Sequence, residues 1–351
     1  MKNFVGEDKM SQCMDKYKES FVLEFAKVMQ ENLPKWREIQ EENKRKIFTS
    51  DILSSIMKSI LASLLLGGAL FYAIFKGGVL YFDIADIILN YSSIFVVILF
   101  VVVFVVFYTS AIFNRNKKFQ NLMKEEIYPK LLKIFTPNIA YKKGDLDNSV
   151  YNATKLLDED ATIQERDDFF CGEYNGIKFG VNEIELETLH QSLTDSRRKD
   201  NITLFKGVAL NFTLNKKINS HIHIYTKNSK KPPKGFEKVN LEYAKFNNKY
   251  DVYVQKTQME AGGQVEARYL LTTSFMDRFI QLEMAFPVSR LRCSVKGAEM
   301  MILLSTENDL FEIGHIMNRI DDVSQYQNMF GEFASVFSFI DVLNLSSKTG
   351  L

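Results

Sequence analysis

The sequence predicts an α+β cytoplasmic domain, an antiparallel or mixed sheet with flanking helices, attached to a two-helix transmembrane hairpin. Three observations predict it. Two apolar runs, Ile52 to Phe75 and Ile87 to Phe113, are each about long enough for a helix to cross a hydrocarbon core of roughly 30 Å. From about Tyr141 onward, alternating apolar and polar residues and turn dipeptides read as strands. A broad apolar stripe at helical spacing then closes the chain.

The 351 residues leave room for such a hairpin and one soluble domain with its own core. A net charge of +1 excludes the strongly basic footprint of a dedicated nucleic-acid binder. Cys13, Cys171 and Cys293 are odd in number and far apart, so they form neither a disulfide framework nor a paired zinc motif. They read as reduced cytosolic thiols. The first apolar run begins too late and is too long for an ordinary cleaved signal peptide, and no processing is expected.

The order of elements follows. In residues 1–50, Tyr17, Phe21, Phe25 and Val28 recur at steps of three and four and predict an amphipathic helix, which Pro34 should end or kink. Trp36, Ile39 and the Lys44-Arg45-Lys46 cluster then lead to a bilayer surface. Residues 51–114 form the hairpin, with spans at 52–75 and 87–113. The second span has no charge, and the first has only Lys58, whose stem lets its ammonium reach the headgroups. Ser55, Ser59, Ser63 and Gly67 make a stripe of small residues along the first span, a seam for close helix packing either within the hairpin or in a homodimer. Lys35, Arg37, Lys44, Arg45 and Lys46 precede the spans and Arg115, Lys117, Lys118 and Lys124 follow them. The connection from Lys76 to Asp86, around Gly77-Gly78, has one lysine against Asp83 and Asp86, so both termini are expected to be cytoplasmic.

Residues 115–139 carry a second stripe, Phe119, Leu122, Ile127, Leu131 and Phe135, interrupted by Pro129. The two flanking helices are expected to pack as a short stalk. In the remaining domain, 140–351, Tyr151 to Asp158 reads as one short helix. Asn175-Gly176 marks a hairpin, and Glu183, Glu185 and Glu187 continue its second strand as a solvated face. Ile202 to Leu214 is strand-rich. His221 and His223 share a strand face as two metal ligands would, but no third ligand is visibly placed and Lys216 and Lys217 oppose a cation, so no metal is expected. Glu266 and Arg268 read as neighbours on one strand face, able to pair or to recognise a ligand. Thr272 caps a helix whose face is Phe275, Phe279 and Leu282. Leu291 to Val295 and Met300 to Leu304 form a hairpin about Lys296-Gly297-Ala298, and Asp321 to Leu345 is the closing helix.

Gly235-Phe236-Glu237-Lys238-Val239, Phe246 to Tyr253, and Val265 to Phe279 with its Glu266-Ala-Arg268 core resemble the bacterial family named domain of unknown function 3137. Lys206-Gly207-Val208 and Ile340 to Leu345 are similar to the same pattern, whereas Thr273 departs from its more usual proline. The resemblance implies a two-span hairpin with a cytoplasmic domain; the family has no established activity, so architecture is implied and mechanism is not. Phe236, Glu237, Glu266 and Arg268, which lie in these stretches, are the interaction candidates.

The chain contains no phosphate-binding Gly loop ending in Lys-Ser or Lys-Thr, no Gly-x-Ser-x-Gly and no His-Glu-x-x-His. It contains no intramembrane carboxylate that would mark an ion path. The expectation is a binding or scaffold module at the bacterial inner membrane, without cofactor. Its partners would be the lipid bilayer and a protein, not nucleic acid. The alternative is an enzyme acting on a lipid or membrane-associated substrate.

Overall fold

A computed structural model describes residues 5–76, 82–143, 146–191, 199–229, 233–256, 262–286, 288–308 and 310–348. The Gly77-Gly78 connection, the Arg197-Arg198 loop, Lys230 to Pro232 and most of the Gln258 to Gly263 insertion lie outside those residues. The chain divides into two compact units: Met1–Val28, Glu125–Glu312 and Val323–Leu351 form one, and Met29–Lys124 with Ile313–Asp322 form the other.

The helical unit is built on α1 (Val5–Lys46), α2 (Ile52–Lys76) and α3 (Phe82–Leu131), of which α1 and α3 each run on into the sheet unit. Of the two outcomes expected at Pro34, an end or a kink, the structure excludes the end: α1 passes through it and joins α2 by a π-helical turn, Ile47–Asp51. One missing backbone bond is outweighed by burial on the next turns, where Trp36 and Ile47 are fully enclosed. Among the described residues, two helices are long and apolar enough to cross a membrane. A guanidinium–carboxylate clasp joins the start of the first to the end of the second: Arg115 donates from Nε to Asp51 Oδ2 and from Nη2 to Oδ1 at 2.7 Å. Such two-pronged pairing fixes orientation as well as charge, and it ties the turn that leads into α2 to α3.

Among the described residues, the sheet unit contains seven antiparallel strands: β1 (Ile139–Lys143), β2 (Ile163–Tyr174), β3 (Ile177–Gln191), β4 (Lys199–Thr226), β5 (Phe236–Val239), β6 (Tyr250–Gln255) and β7 (Arg290–Ser305). Their order is β1-β2-β3-β4-β6-β5, with β7 also on β4. Asn175 and Gly176 turn the β2–β3 hairpin with φ of 50° and 78°, as the sequence predicts. β7 doubles back at Gly297, where φ is +63°, so that the Ser289 amide reaches the Ser305 carbonyl at 2.9 Å. The expected hairpin is therefore present. β4 embraces it: Gly207 to Thr213 pair with Ser305 to Glu299, Ile218 meets Gly297 at the tip, and Ile222 to Tyr225 pair with Val295 to Arg292. To reach both arms of the hairpin β4 must itself reverse across the tip, and its register slips between Thr213 and Ile222. Gly207 is required where β4 meets β7, since a Cβ there would lie 2.1 Å from the Leu304 carbonyl oxygen.

Helices cover one sheet face. α5 (Ala244–Asn247), α7 (Thr273–Ala285) and α8 (Gln327–Lys348) place Phe246, Phe279 and Phe339 in one aromatic group that includes Phe212 of β4, and Phe337 of α8 packs on Phe179 of β3. Thr272 caps α7 by accepting the Phe275 amide at 3.2 Å, as expected. The closing helix starts after a 3-10 turn, Val323–Tyr326, a few residues later than predicted. It also receives the two flanking stripes: Phe21 of α1 stacks on Phe330, Phe25 meets Tyr326, and Phe135 stacks on Phe330 and Phe337. The stripes thus find their cover on α8. Each large apolar side chain fully enclosed in this way contributes about 1.5–3 kcal/mol.

Candidate functional site

The opposite face of the sheet is covered by a short cap. Asp147 accepts the Ser149 amide at 2.8 Å and starts α4 (Asn148–Asn152), shorter than the helix expected over Tyr151 to Asp158. Asn152 closes the following loop by bonding both the amide and the carbonyl of Ala161, at 2.8 and 3.1 Å. Tyr151, Leu156, Leu157 and Ala161 press onto Ile184, Leu186, Phe205, Tyr225, Phe236 and Tyr253.

Beneath this cap lies a buried polar cluster. His221 and His223 of β4 are enclosed, with Nε2 atoms 2.9 Å apart. A carbonyl only accepts, so His223 Nε2 carries a proton, donated to Thr154 O of the cap at 3.0 Å. Its Nδ1 is then the acceptor for the Tyr225 hydroxyl at 2.8 Å, and Ser294 of β7 lies 2.9 Å from His221 Nε2. Phe236 stacks on the His223 ring, with centroids 4.5 Å apart. Arg292 donates to Leu156 O of the cap at 3.1 Å, while its Nε has no partner. Burial, reinforced by Lys296 and Lys155, pushes the His221 pKa down to about 4, and burial also lowers that of Arg292. His221 is neutral at pH 7.

The cluster suits a sealed network better than catalysis or metal binding. Among the described residues no group of three or more His, Cys, Asp or Glu side chains could hold a metal ion. The surrounding Arg292, Lys155 and Lys296 also raise the cost of a bound cation. Elsewhere in this unit, Glu332 of α8 is enclosed with one carboxylate oxygen unpartnered, and burial pushes its pKa up to about 7.

The structure does not bring the sequence candidates together. Glu266 and Arg268 lie on helix α6 (Gly263–Leu270), not on a strand, so two residues apart they point to different sides and do not pair. An eight-residue helix is too short for its periodicity to stand out from alternation. Glu266 accepts from Asn219 Nδ2 and the Ser220 amide at 2.9 and 2.8 Å. Burial works against its ionisation, yet these bonds hold its carboxyl below the usual range. Arg268 is exposed, Glu237 forms a surface pair with Lys256, and Phe236 belongs to the histidine cluster. Glu183 accepts the Leu310 amide, and Glu185 and Glu187 bond β4 side chains, so the three acidic residues sit on an interior strand.

In α2, Ser55, Ser59 and Ser63 are buried, but Ser55 and Ser59 donate to Asp51 O and Ser55 O of their own helix. They offer small size rather than hydroxyl bonds across a contact. Around Gly67 there is open space.

Residues 203–345 match the family described as "Protein of unknown function (DUF3137)". The DUF3137 match bears out the resemblance and includes both histidines, Tyr225, Arg292 and Ser294. The cap and the two apolar helices lie outside it. No curated protein matches the chain. A crystal structure of the mycobacterial trehalose monomycolate transport factor A, TtfA, is similar at 12% identity over 58% of this chain and 86% of its own. Its TM-score of 0.31 is too low to carry an argument.

Sequence reasoning singled out the two histidines but not Arg292, Ser294, Tyr225 or Thr154. β7 and the cap come from distant parts of the chain, and no spacing signals their meeting.

Proposed function

We propose that this chain is a membrane-anchored module that holds a partner protein at the bacterial inner membrane, with both termini and the sheet unit on the cytoplasmic side. The observation that carries it is the exposure of bulky apolar side chains along α2 and α3: Leu64 is 69% exposed, Leu65 65%, Val97 61% and Val106 57%. A soluble core helix hides such residues, whereas lipid covers them at no cost. The charge pattern supports the orientation. Arg45, Lys46, Lys117 and Lys118 flank the apolar stretches, and Lys58 is exposed near the start of the first. The Ser55, Ser59, Ser63 and Gly67 stripe acts as a packing seam within the hairpin. No cofactor enters this reading, and Glu266, Arg268, Phe236 and Glu237 remain its candidate contact residues.

Reporter fusions at Gly78 and Leu351 test the topology, and activity of the Leu351 fusion on the outer side of the membrane would sink it. Affinity purification of the full chain from native membranes, followed by mass spectrometry, tests the partner. Recovery of lipid alone would remove the protein-holding role.

A further inference from the structure

Within the helical unit, Ile313–Asp322 forms a strap without regular structure, lying between α1 and α3. Side-chain amides from both helices read its main chain. Gln40 of α1 donates to Ile316 O and Asn318 O, each at 2.6 Å. Gln120 of α3 donates to Ile313 O at 2.6 Å, Asn116 accepts the Ile316 amide at 2.8 Å, and Asn116 and Gln120 bond each other at 2.9 Å. Ile313, Ile316 and Ile320 are buried, and Arg37 of α1 pairs with Asp321 at the strap's end, at 3.0 Å.

Amides that bond a main chain recognise a segment's course, not its side chains, while three enclosed isoleucines and one ion pair supply the selectivity. This is how a protein holds a peptide. We infer that the α1–α3 groove is a peptide-binding site that the chain's own strap occupies in cis. Its exchange partner is a protein offering a non-helical segment with branched aliphatic side chains at steps of three and four, followed by a carboxylate for Arg37. The inference rests on the reading of the chain as a module that holds a partner, and it assigns where the partner is held. A strap tethered at both ends competes at high effective concentration, so the groove opens to a partner only when the strap is weakened.

The test uses full-length protein in detergent micelles and a labelled peptide with the sequence of residues 311–322. Trp36, the single tryptophan, is enclosed one residue from Arg37 and reports the groove by its emission. Ile316→Asp weakens the strap and should raise peptide affinity by at least about tenfold over the unaltered chain. Adding Gln40→Ala and Gln120→Ala should abolish that gain, and a scrambled peptide should not bind. If Ile316→Asp binds the peptide no better than the unaltered chain, or the scrambled peptide binds equally, the inference is overturned. Should Ile316→Asp fail to fold, a Gln40→Cys with Asn318→Cys pair replaces it: oxidation should block the peptide and reduction restore it. Peptide binding unaffected by the disulfide overturns the inference. A covalent dimer on oxidation would place a second copy's strap in the groove and overturn the choice of partner. Peptide binding is independent of the purification experiment, so either can fail alone.

Discussion

Two buried titratable groups in the sheet unit make opposite demands on pH, and replacing one of them exposes the other. His221 is neutral in the native state with its pKa lowered to about 4, whereas in the unfolded chain it takes a proton near 6.5. Its contribution is fully present above about pH 6.5 and is lost as pH falls toward about 4. Glu332 runs the other way. Its native pKa is raised to about 7 from 4.5, so stability is fully present below about pH 4.5 and is lost as pH rises toward 7. Each gap corresponds to about 3 kcal/mol at roughly 1.4 kcal/mol per pH unit. Over the shared window the two slopes nearly cancel, and the unaltered protein should show a flat profile.

Glu332→Gln keeps the shape of the protonated carboxyl and removes its titration. The variant should match the unaltered chain near about pH 4.5 and gain up to about 3 kcal/mol near about pH 8. For a unit of this size that is a rise of roughly 6–12 °C in Tm. Its stability should then fall as pH drops below about 6.5, uncovering the histidine limb. Thermal melting of the full chain in micelles, followed by circular dichroism across this range, measures both limbs. An equal gain at both ends of the range, or a loss near about pH 8, would refute the ionisation argument.

Phe337→Ala should cost about 3–5 kcal/mol. Its enclosed ring lies 4.6 Å from that of Phe135, 4.9 Å from Tyr174 and 5.2 Å from Phe179, and chemical denaturation would measure the loss. Gly207→Ala should destabilise by at least about 2 kcal/mol, because the added Cβ meets the Leu304 carbonyl and φ is +139°. Limited proteolysis should cut this variant faster, and an unchanged rate would count against the close approach. Glu266→Gln should lose about 1–2 kcal/mol through its weakened bonds to Asn219 and Ser220. Arg268→Ala should stay within roughly 0.5 kcal/mol, and a comparable loss in both variants would restore the pairing that the helix removes.

What was legible in the sequence was whatever a short window can encode. Asn175-Gly176 and Gly297 announce their turns because few residues tolerate positive φ, and Thr272 announces its helix through a hydroxyl placed to take an early amide. The apolar runs of α2 and α3 are visible from length alone. Glu266 and Arg268 were misplaced because Val265 to Leu270 alternates well enough to imitate a strand. That α1 continues through Pro34 is not legible, because the cost of one lost bond is visible locally whereas the burial of Trp36 depends on residues far away. The strap was invisible for the same reason. Its isoleucines follow helical steps without forming a helix, and the glutamines and asparagine that hold it come from α1 and α3, far earlier in the chain.

β4 reverses around a hairpin that the ribosome has not yet made. When Lys199–Thr226 leaves the exit tunnel, its first arm can pair with β3, but both arms still lack β7, which fills the space between them. Until Arg290–Ser305 is synthesised, two long apolar strand edges stay open in the centre of the sheet, and they invite pairing with other chains. The nascent protein therefore depends on threading the β7 hairpin, once made, into a prepared slot. The closing of that slot sets a long-range, slow step that waits until β7 has been made.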